Sequence, residues 1–247
     1  MPRQKLGQHF LVRSSVAERI AAAACPTFEP LVIEIGPGRG ALTAKLLRRA
    51  ARVIAIEVDP FLAGHLRQKF AGDARLEIVQ ADVLDTSLSQ WGPVPVVGNL
   101  PYYITSPILQ KVIRLNMPRA VFLIQKEVAE RLTAHPGERA YGYLTVETAI
   151  FAEARFRFAV PAAAFYPPPK VESAVVSLLP QQRDFGIQDQ ELFLAFLGEC
   201  FRHKRKTIRN NLGEIYGKER IGAWPEAGLR AEQISLEQFA AMYRRLS

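Results

Sequence analysis

The chain has 247 residues, of which 49% are hydrophobic and 23% are charged, and this composition excludes extended disorder. Its longest apolar runs, such as residues 20–25, are too short to span a bilayer, and the N-terminus lacks a secretory signal pattern, so we expect a cytoplasmic protein. A formal net charge of +8 and an isoelectric point near 9.7 favour a polyanionic partner.

Neither a disulfide framework nor a metal site is expected. The two cysteines, Cys25 and Cys200, and four scattered histidines show no paired spacing. We therefore expect both thiols to be inert.

The first two thirds of the chain alternate strand and helix patterns. A short basic arm, residues 1–13, precedes a helix that we expect Ser14 or Ser15 to cap and Ala24 to end. Runs rich in Val and Ile then alternate with segments of helical period, which predicts a parallel sheet flanked by helices. The predicted strands are residues 31–35, 52–57, 75–80, 94–98 and 120–125. The predicted helices are residues 41–49, 60–70 and 107–115, the last capped by Ser106 with Pro107 at its first position.

The end of the chain has a different pattern. Apolar runs at residues 154–160 and 174–179 flank a proline-rich loop, and they are predicted to pair antiparallel at one sheet edge. Beyond Pro180 a polar break precedes residues 190–247, which show helical periodicity without a strand. The sequence thus predicts an α/β domain over residues 1–180 and a small helical domain over residues 181–247.

A glycine-rich segment follows the first predicted strand, and it reads Glu34-Ile35-Gly36-Pro37-Gly38-Arg39-Gly40. Glycines there permit a sharp turn and a close ligand approach. Glu57 ends the second strand 21 residues after Gly36, where a carboxylate can accept hydrogen bonds from ribose hydroxyls. Asp82 ends the third strand, where it can accept from an adenine amino group. An adenosine-containing cofactor is predicted. The Gly-x-Gly-x-Gly spacing resembles that of class I methyltransferases, which use S-adenosylmethionine, rather than that of dinucleotide folds.

The fourth predicted strand leads into Asn99-Leu100-Pro101-Tyr102. An exocyclic amine on adenine is a weak nucleophile because its lone pair is delocalised into the ring. The Asn99 side-chain oxygen and the Leu100 carbonyl can accept the two amino hydrogens and direct the lone pair at a methyl group. Pro101 stiffens the turn, and Tyr102 offers a stacking face. This segment predicts methylation of an adenine amino group by alignment and preorganised acceptors.

These motifs resemble the ribosomal RNA adenine N6-dimethyltransferases that modify small-subunit RNA. The resemblance spans essentially the whole chain and includes residues 7–11, the glycine loop, residues 99–102, residues 165–171, the run 201–206 and residues 210–212. It implies a Rossmann-like, mostly parallel seven-stranded sheet with one antiparallel edge strand, plus a small all-α C-terminal domain. It also implies transfer of methyl groups from S-adenosylmethionine to N6 of two adjacent adenines near the RNA 3′ end, giving N6,N6-dimethyladenine during ribosome maturation.

The resemblance also implies roles for individual residues. The expected cofactor contacts are His9, Leu11, Gly36, Gly38, Glu57, Asp82 and Asn99. Phe165 would form the second face of a base sandwich with Tyr102. The position of His9 is usually Asn in this family; a backbone contact would survive that change, whereas a side-chain contact would not be assured.

Basic residues concentrate near the start of the helical segment. Five of them, with no acidic residue between, are predicted to bind RNA phosphates: Arg202, Lys204, Arg205, Lys206 and Arg209. Arg3, Lys5 and Arg13 in the N-terminal arm would add to this surface. Phosphate contacts position RNA and make its affinity salt-dependent, whereas specificity is expected from RNA shape and from an unstacked adenine.

Three alternatives remain open. A dimethyltransferase acting on large-subunit RNA shares the glycine loop and a similar tetrapeptide, although residues 202–212 favour the small-subunit type. A DNA adenine methyltransferase fits less well, because those enzymes carry a different tetrapeptide and a larger recognition region. A binding protein that assists ribosome assembly would need no catalysis, but the intact motif residues favour an active enzyme. We expect a monomer that binds immature small subunits, without a membrane or a metal.

Overall fold

A computed structural model describes residues 9–115 and 117–246. The described chain divides into two compact units. The first comprises the residues up to Ala129 together with Glu153–Pro180, and the second comprises Glu130–Ala152 together with the residues from Gln181 onward. The chain crosses between the units three times, and the third crossing lies at residue 180, the position of the predicted domain boundary. Residues 130–152 fall within the predicted α/β domain over residues 1–180, but they pack with the C-terminal unit.

The strands are numbered in the order in which they occur along the chain. Their bounds are β1 Phe10–Leu11, β2 Val32–Ile35, β3 Val53–Glu57, β4 Leu76–Gln80, β5 Val96–Asn99, β6 Ala120–Gln125, β7 Ala152–Val160, β8 Phe165–Tyr166 and β9 Ser173–Pro180. The five predicted parallel strands are thus confirmed, each within two residues. They form because Val and Ile suit a sheet that is covered on both faces.

Seven of these strands form one sheet in the order β4-β3-β2-β5-β6-β9-β7. Strands β2 to β6 pair parallel, and β9 pairs antiparallel with β6 in the register Val121 with Ser177. The predicted α/β class is confirmed. The two runs predicted to pair at one sheet edge are neighbours there, with β9 next to β6 and β7 as the edge strand.

The helices are α1 Ser14–Ala24, α2 Thr43–Leu46, α3 Pro60–Lys69, α4 Thr105–Ile113, α5 Lys126–Thr133, α6 Tyr143–Phe151, α7 Gln190–Phe201, α8 Ile208–Tyr216, α9 Lys218–Gly222 and α10 Leu236–Arg244. The first-unit core contains Ile20 of α1, Leu46 of α2 and Val121 of β6. This packing holds α1 against the sheet and leaves the carboxyl ends of the parallel strands to form a site.

Two predicted helix caps are wrong. Helix α1 begins at Ser14 with Arg13 as its N-cap residue, and no side chain caps it, because an arginine side chain has no acceptor for the first helical N–H groups. Helix α4 begins at Thr105 rather than after Ser106. The Thr105 hydroxyl donates to the Pro101 carbonyl at 3.0 Å, so the helix continues directly from the turn before it.

The second unit has a core of its own, in which Phe193 and Phe196 of α7 pack with Phe239 of α10. The segment 130–152 joins this unit through a hydrogen bond of 2.7 Å from the Tyr141 hydroxyl to the Ile234 carbonyl. The predicted helical C-terminal segment is confirmed. Within residues 9–115 and 117–246, no helix has the length and apolar character needed to cross a membrane.

Candidate active site

A pocket of about 260 Å³ opens where the parallel strands β2, β3 and β5 end. Ligands bind at this edge in open α/β sheets because the loops that follow the strands converge there. The lining brings together ten of the predicted site residues, namely His9, Leu11, Gly36, Gly38, Glu57, Asp82, Asn99, Leu100, Pro101 and Tyr102.

The glycine loop forms the floor of the pocket. Gly36 has φ of +66°, a conformation that L side chains rarely adopt, and a Cβ atom there would lie 3.5 Å from the Asn99 carbonyl oxygen. Gly98 is required for a different reason, since a Cβ atom there would lie 2.4 Å from the Ile35 carbonyl oxygen of the neighbouring strand. Glycine at these two positions therefore brings the first loop and the Asn99 turn side by side.

Glu57 is a fixed acceptor at the end of β3. Only 4% of the residue is exposed, and its two carboxylate oxygens accept hydrogen bonds from the Gly38 N–H at 3.1 Å and the Asp59 N–H at 3.0 Å. Burial raises the pKa of this carboxyl, whereas the two N–H groups oppose the rise. The arrangement locks the carboxylate onto the glycine loop, in the place where the sequence predicts contact with ribose hydroxyls.

Asp82 lies on the same rim, after β4. Its Oδ1 accepts from the Leu84 N–H at 2.8 Å, an Asx turn that fixes the side chain. No described residue donates a hydrogen bond to its Oδ2, which leaves that oxygen available to a ligand. Apolar residues of the same lining, including Val58 and Val83, provide a surface for a flat ring.

Asn99 is held by the backbone of residue 9. Its Nδ2 donates to the His9 carbonyl at 3.1 Å, which leaves Oδ1 as the free acceptor of the amide. The Leu100 N–H donates to the Leu123 carbonyl at 3.0 Å, and in the described part of the chain no donor reaches the Leu100 carbonyl. Two oxygens of one rigid turn thus remain to accept hydrogen bonds.

Tyr102 is anchored at its hydroxyl. The hydroxyl shares a hydrogen bond of 2.6 Å with Ser173, and burial raises the pKa of the phenol. Its ring centroid lies 5.7 Å from that of His9. This anchoring fixes the plane of a ring that lines the pocket and can stack on a base.

The first strand explains how His9 takes part. Strand β1 pairs antiparallel with β8, with Phe10 opposite Tyr166, and the His9 Nδ1–H donates to the Pro167 carbonyl at 2.7 Å. The contact between residue 9 and Asn99 uses the backbone carbonyl of His9. That contact therefore does not depend on the identity of the side chain.

Phe165 is not brought into the pocket. The residue is 3% exposed and packs in the first-unit core with Leu11 and Val16, and it does not belong to the lining. Tyr166 beside it is 63% exposed. Pairing of Phe165 with Tyr102 around a base stays a prediction.

Glu34 and Tyr103 also line the pocket, although neither was predicted as a site residue. Glu34 is 1% exposed and accepts from the Thr43 hydroxyl at 2.6 Å, and burial raises its pKa to about 8, so it is mainly protonated at neutral pH. Tyr103 is 56% exposed and lines the pocket. Two sequence features could have indicated them, namely the acidic residue before the first glycine of the loop and the second tyrosine of the Tyr-Tyr pair.

The residues of the pocket fit S-adenosylmethionine. A glycine turn without Cβ atoms, a buried carboxylate on Glu57 and a free carboxylate oxygen on Asp82 match a small ligand with a ribose, an adenine and a cationic tail. No group of three or more His, Cys, Asp or Glu that could hold a metal occurs in residues 9–115 and 117–246.

The predicted RNA-binding residues lie in the second unit. They occupy the loop between α7 and α8 and the first turn of α8, rather than one helix face, and all five are exposed. Asn211 is buried and donates to the carbonyls of Cys200 at 2.7 Å and His203 at 3.3 Å, which holds the loop in place. Arg3 and Lys5 lie outside the described residues.

Comparisons with known proteins agree with this geometry. The family model described as ribosomal RNA adenine dimethylase matches residues 2–247. A protein named ribosomal RNA small subunit methyltransferase A from Acidobacterium capsulatum is 42% identical over 258 residues, covering 99% of this chain and 91% of that protein. A protein of the same name from Magnetococcus marinus is 42% identical over 257 residues, covering 98% and 90%.

Solved structures give the same result. A dimethyladenosine transferase from Plasmodium falciparum superposes with a TM-score of 0.82 at 25% identity, covering 96% of this chain and 97% of that one. The 23S rRNA methyltransferase ErmE superposes with a TM-score of 0.76 at 30% identity, covering 96% and 99%. From the match along its whole length, the chain belongs to the ribosomal RNA adenine dimethylase family.

Proposed function

We propose that this S-adenosylmethionine-dependent methyltransferase dimethylates N6 of two adjacent adenines near the 3′ end of small-subunit ribosomal RNA during ribosome maturation. The observation that carries the proposal is the orientation of Asn99. Its amide nitrogen is engaged by the His9 carbonyl, so its oxygen is the atom left for an incoming amino group. That oxygen belongs to the residue that closes the pocket beside the glycine loop.

The turn at Asn99 and Leu100 would activate the adenine amino group as a nucleophile. Asn99 Oδ1 and the Leu100 carbonyl would each accept one N6 hydrogen, which draws the nitrogen toward tetrahedral geometry and localises its lone pair. S-adenosylmethionine supplies an electrophilic methyl group when bound. The hydrogen bonds that fix Asn99, Leu100 and Tyr102 exist before the base arrives, so little reorganisation is required when the base binds.

Cofactor binding and base binding use different parts of the pocket. Gly36, Gly38, Glu57 and Asp82 would hold the cofactor, and the Tyr102 ring would stack on the adenine. Stacking of an unpaired base on an aromatic ring is sequence-tolerant and contributes about 1–3 kcal/mol. The basic loop of the second unit would contact RNA phosphates and position the substrate.

The choice of small-subunit RNA is supported by the relatives. Two proteins at 42% identity carry the name small subunit methyltransferase A, whereas ErmE, named for 23S rRNA, is 30% identical. The basic run that precedes Asn210-Asn211-Leu212 supports the same choice. A monomeric state and a cytoplasmic location belong to this proposal as well, and sedimentation of the purified protein tests the first of them.

The proposal is tested with under-methylated small subunits and labelled S-adenosylmethionine, followed by digestion and mass spectrometry of the nucleosides. We expect N6,N6-dimethyladenine at two neighbouring positions near the RNA 3′ end. Label in large-subunit RNA alone would overturn the assignment of substrate, and a product containing only monomethyladenine would overturn dimethylation.

The role of Asn99 is tested in the same assay. Loss of one preorganised acceptor is expected to reduce kcat by about 10²–10³, and the Asn99→Ala variant should show this loss. Gln90→Ala is a matched control, because it removes an exposed amide in the same unit, outside the pocket. Equal kcat values for Asn99→Ala and Gln90→Ala would contradict the proposed role.

A further inference from the structure

A second depression, of about 440 Å³, lies in the first unit apart from the pocket described above. One wall is α1, which contributes Arg19, Ala22 and Ala23, and the other is β7, which contributes Phe156, Arg157 and Phe158. We call these six residues the Arg-Phe surface. They share no residue with the lining of the cofactor pocket.

The alternation of β7 explains the exposed aromatic ring. Side chains of a strand point alternately to opposite faces, so Phe156, Phe158 and Val160 share one face. Val160 is fully buried in the first-unit core and Phe158 packs against that core, whereas Phe156 is 41% exposed. The face is thus covered by α1 at one end and open at the other.

The same surface carries cations that are not neutralised. The Arg19 guanidinium lies 3.6 Å from the centroid of the Phe158 ring, and Arg19 and Arg157 are both exposed. Neither arginine forms an ion pair with a described residue.

Nearby acids are already engaged. Glu18 pairs with Lys45, Arg48 and Arg49. Glu153 pairs with Arg155 at 2.8 Å. The positive charge of Arg19 and Arg157 therefore remains available to an anionic partner.

From this geometry we infer that the Arg-Phe surface binds an unpaired nucleotide of the substrate RNA, outside the nucleotide that is methylated. The base stacks on Phe156 and the exposed Arg19, and the adjoining phosphate pairs with Arg157, which lines the same depression from the edge strand β7. Arginines and aromatic rings together are the groups that hold single-stranded nucleic acid, through cation–π contact, stacking and phosphate neutralisation. The inference rests on the proposed function for the identity of the RNA.

An RNA partner fits this surface better than a protein partner. An apolar protein surface has no charge that could pair with the two arginines. An acidic protein surface could pair with them, but it would leave the exposed Phe156 ring beside them without a stacking partner. Nucleotides present both a phosphate charge and a flat ring at short spacing. The Arg-Phe surface likewise presents both cationic and aromatic groups around one depression.

The test compares the wild type with Phe156→Ala and with the double variant Arg19→Ala, Arg157→Ala. For each protein we measure KM for under-methylated small subunits. We also measure the affinity for a fluorescein-labelled single-stranded RNA by anisotropy. Loss of one stacked base is expected to weaken RNA binding and raise KM about tenfold, with kcat unchanged. The double variant should also lower the slope of log affinity against log salt by about 0.7, because one phosphate contact on a single strand is lost.

Arg155→Ala is the matched control, because Arg155 lies on the same strand, does not line the depression and is paired with Glu153. Unchanged affinity and KM in Phe156→Ala and in the double variant, with thermal unfolding like that of the wild type, would overturn the inference. So would a rise in KM for subunits without any loss of RNA affinity, which would indicate a protein partner. A wild type that binds the RNA through this surface but methylates no adenine would refute the proposed function and leave the inference standing.

Discussion

Replacement of Glu34 by Gln should stabilise the first unit increasingly as pH rises. Burial raises the pKa of Glu34 to about 8, compared with 4.5 for a free side chain. An unfolded chain releases this proton near pH 4.5, whereas the folded chain keeps it until about pH 8. The stability that this carboxyl contributes is therefore fully present below pH 4.5 and is lost as pH rises toward 8.

The size of the effect follows from the same pKa. Within this window each pH unit costs the wild type about 1.4 kcal/mol of unfolding free energy. Glu34→Gln has no proton to lose and retains an acceptor for the Thr43 hydroxyl. Its free energy of unfolding, relative to the wild type, should thus increase by about 2–3 kcal/mol between pH 5 and pH 7.

The assay is urea denaturation at pH 5, 6 and 7, followed by tryptophan fluorescence. Trp91 lies in the first unit and Trp224 in the second, so a Trp224→Phe background makes the signal report the unit that contains Glu34. Any constant cost of burying the Gln amide cancels in the pH dependence. A difference between variant and wild type that stays level from pH 5 to pH 7 would refute the reasoning.

Three further changes probe the pocket and the basic loop. Gly98→Ala should cost about 1–3 kcal/mol in urea denaturation, because its Cβ atom would lie 2.4 Å from the Ile35 carbonyl oxygen. Glu57→Ala should weaken binding of S-adenosylmethionine about 10- to 100-fold by calorimetry, because a charged acceptor for the ribose is lost. Lys206→Ala should reduce the salt slope of RNA binding by about 1.

Each of these expectations has a control. Gly64→Ala serves for Gly98, since a Cβ atom at Gly64 meets nothing within 4 Å. Glu77→Ala serves for Glu57, since Glu77 is an exposed acid outside the pocket. Equal losses in a variant and its control would contradict the specific role. For Lys206, an unchanged salt slope would mean that the loop makes no phosphate contact.

The sheet could be predicted from the sequence because buried parallel strands appear as continuous runs of Val and Ile. Helices α5 and α6 were missed, and with them the assignment of residues 130–152 to the second unit. This segment is separated from residues 181–246 by β7 and β9, and its packing partner is fixed by tertiary contacts such as that of Tyr141 with Ile234. No local pattern reports such a contact.

For the site, spacing along the chain identified most of the pocket but not its internal bonds. The contact between Asn99 and the His9 carbonyl joins residues 90 positions apart, so the free acceptor of the amide could be known only from the fold. Burial likewise decides the protonation of Glu34, which the sequence shows only as an acid before a glycine. Phe165 packs in the core and does not line the pocket, so its predicted pairing with Tyr102 around a base stays a prediction.

The most direct measurement of the central claim is a crystal structure with S-adenosylmethionine, or an inert analogue of it, and a short RNA bound. We predict that adenine N6 lies about 3–3.5 Å from the methyl carbon. It should also lie about 2.7–3.2 Å from both Asn99 Oδ1 and the Leu100 carbonyl oxygen. A cofactor bound with its sulfur far from the Asn99 turn, beyond the span of an adenine, would contradict the account.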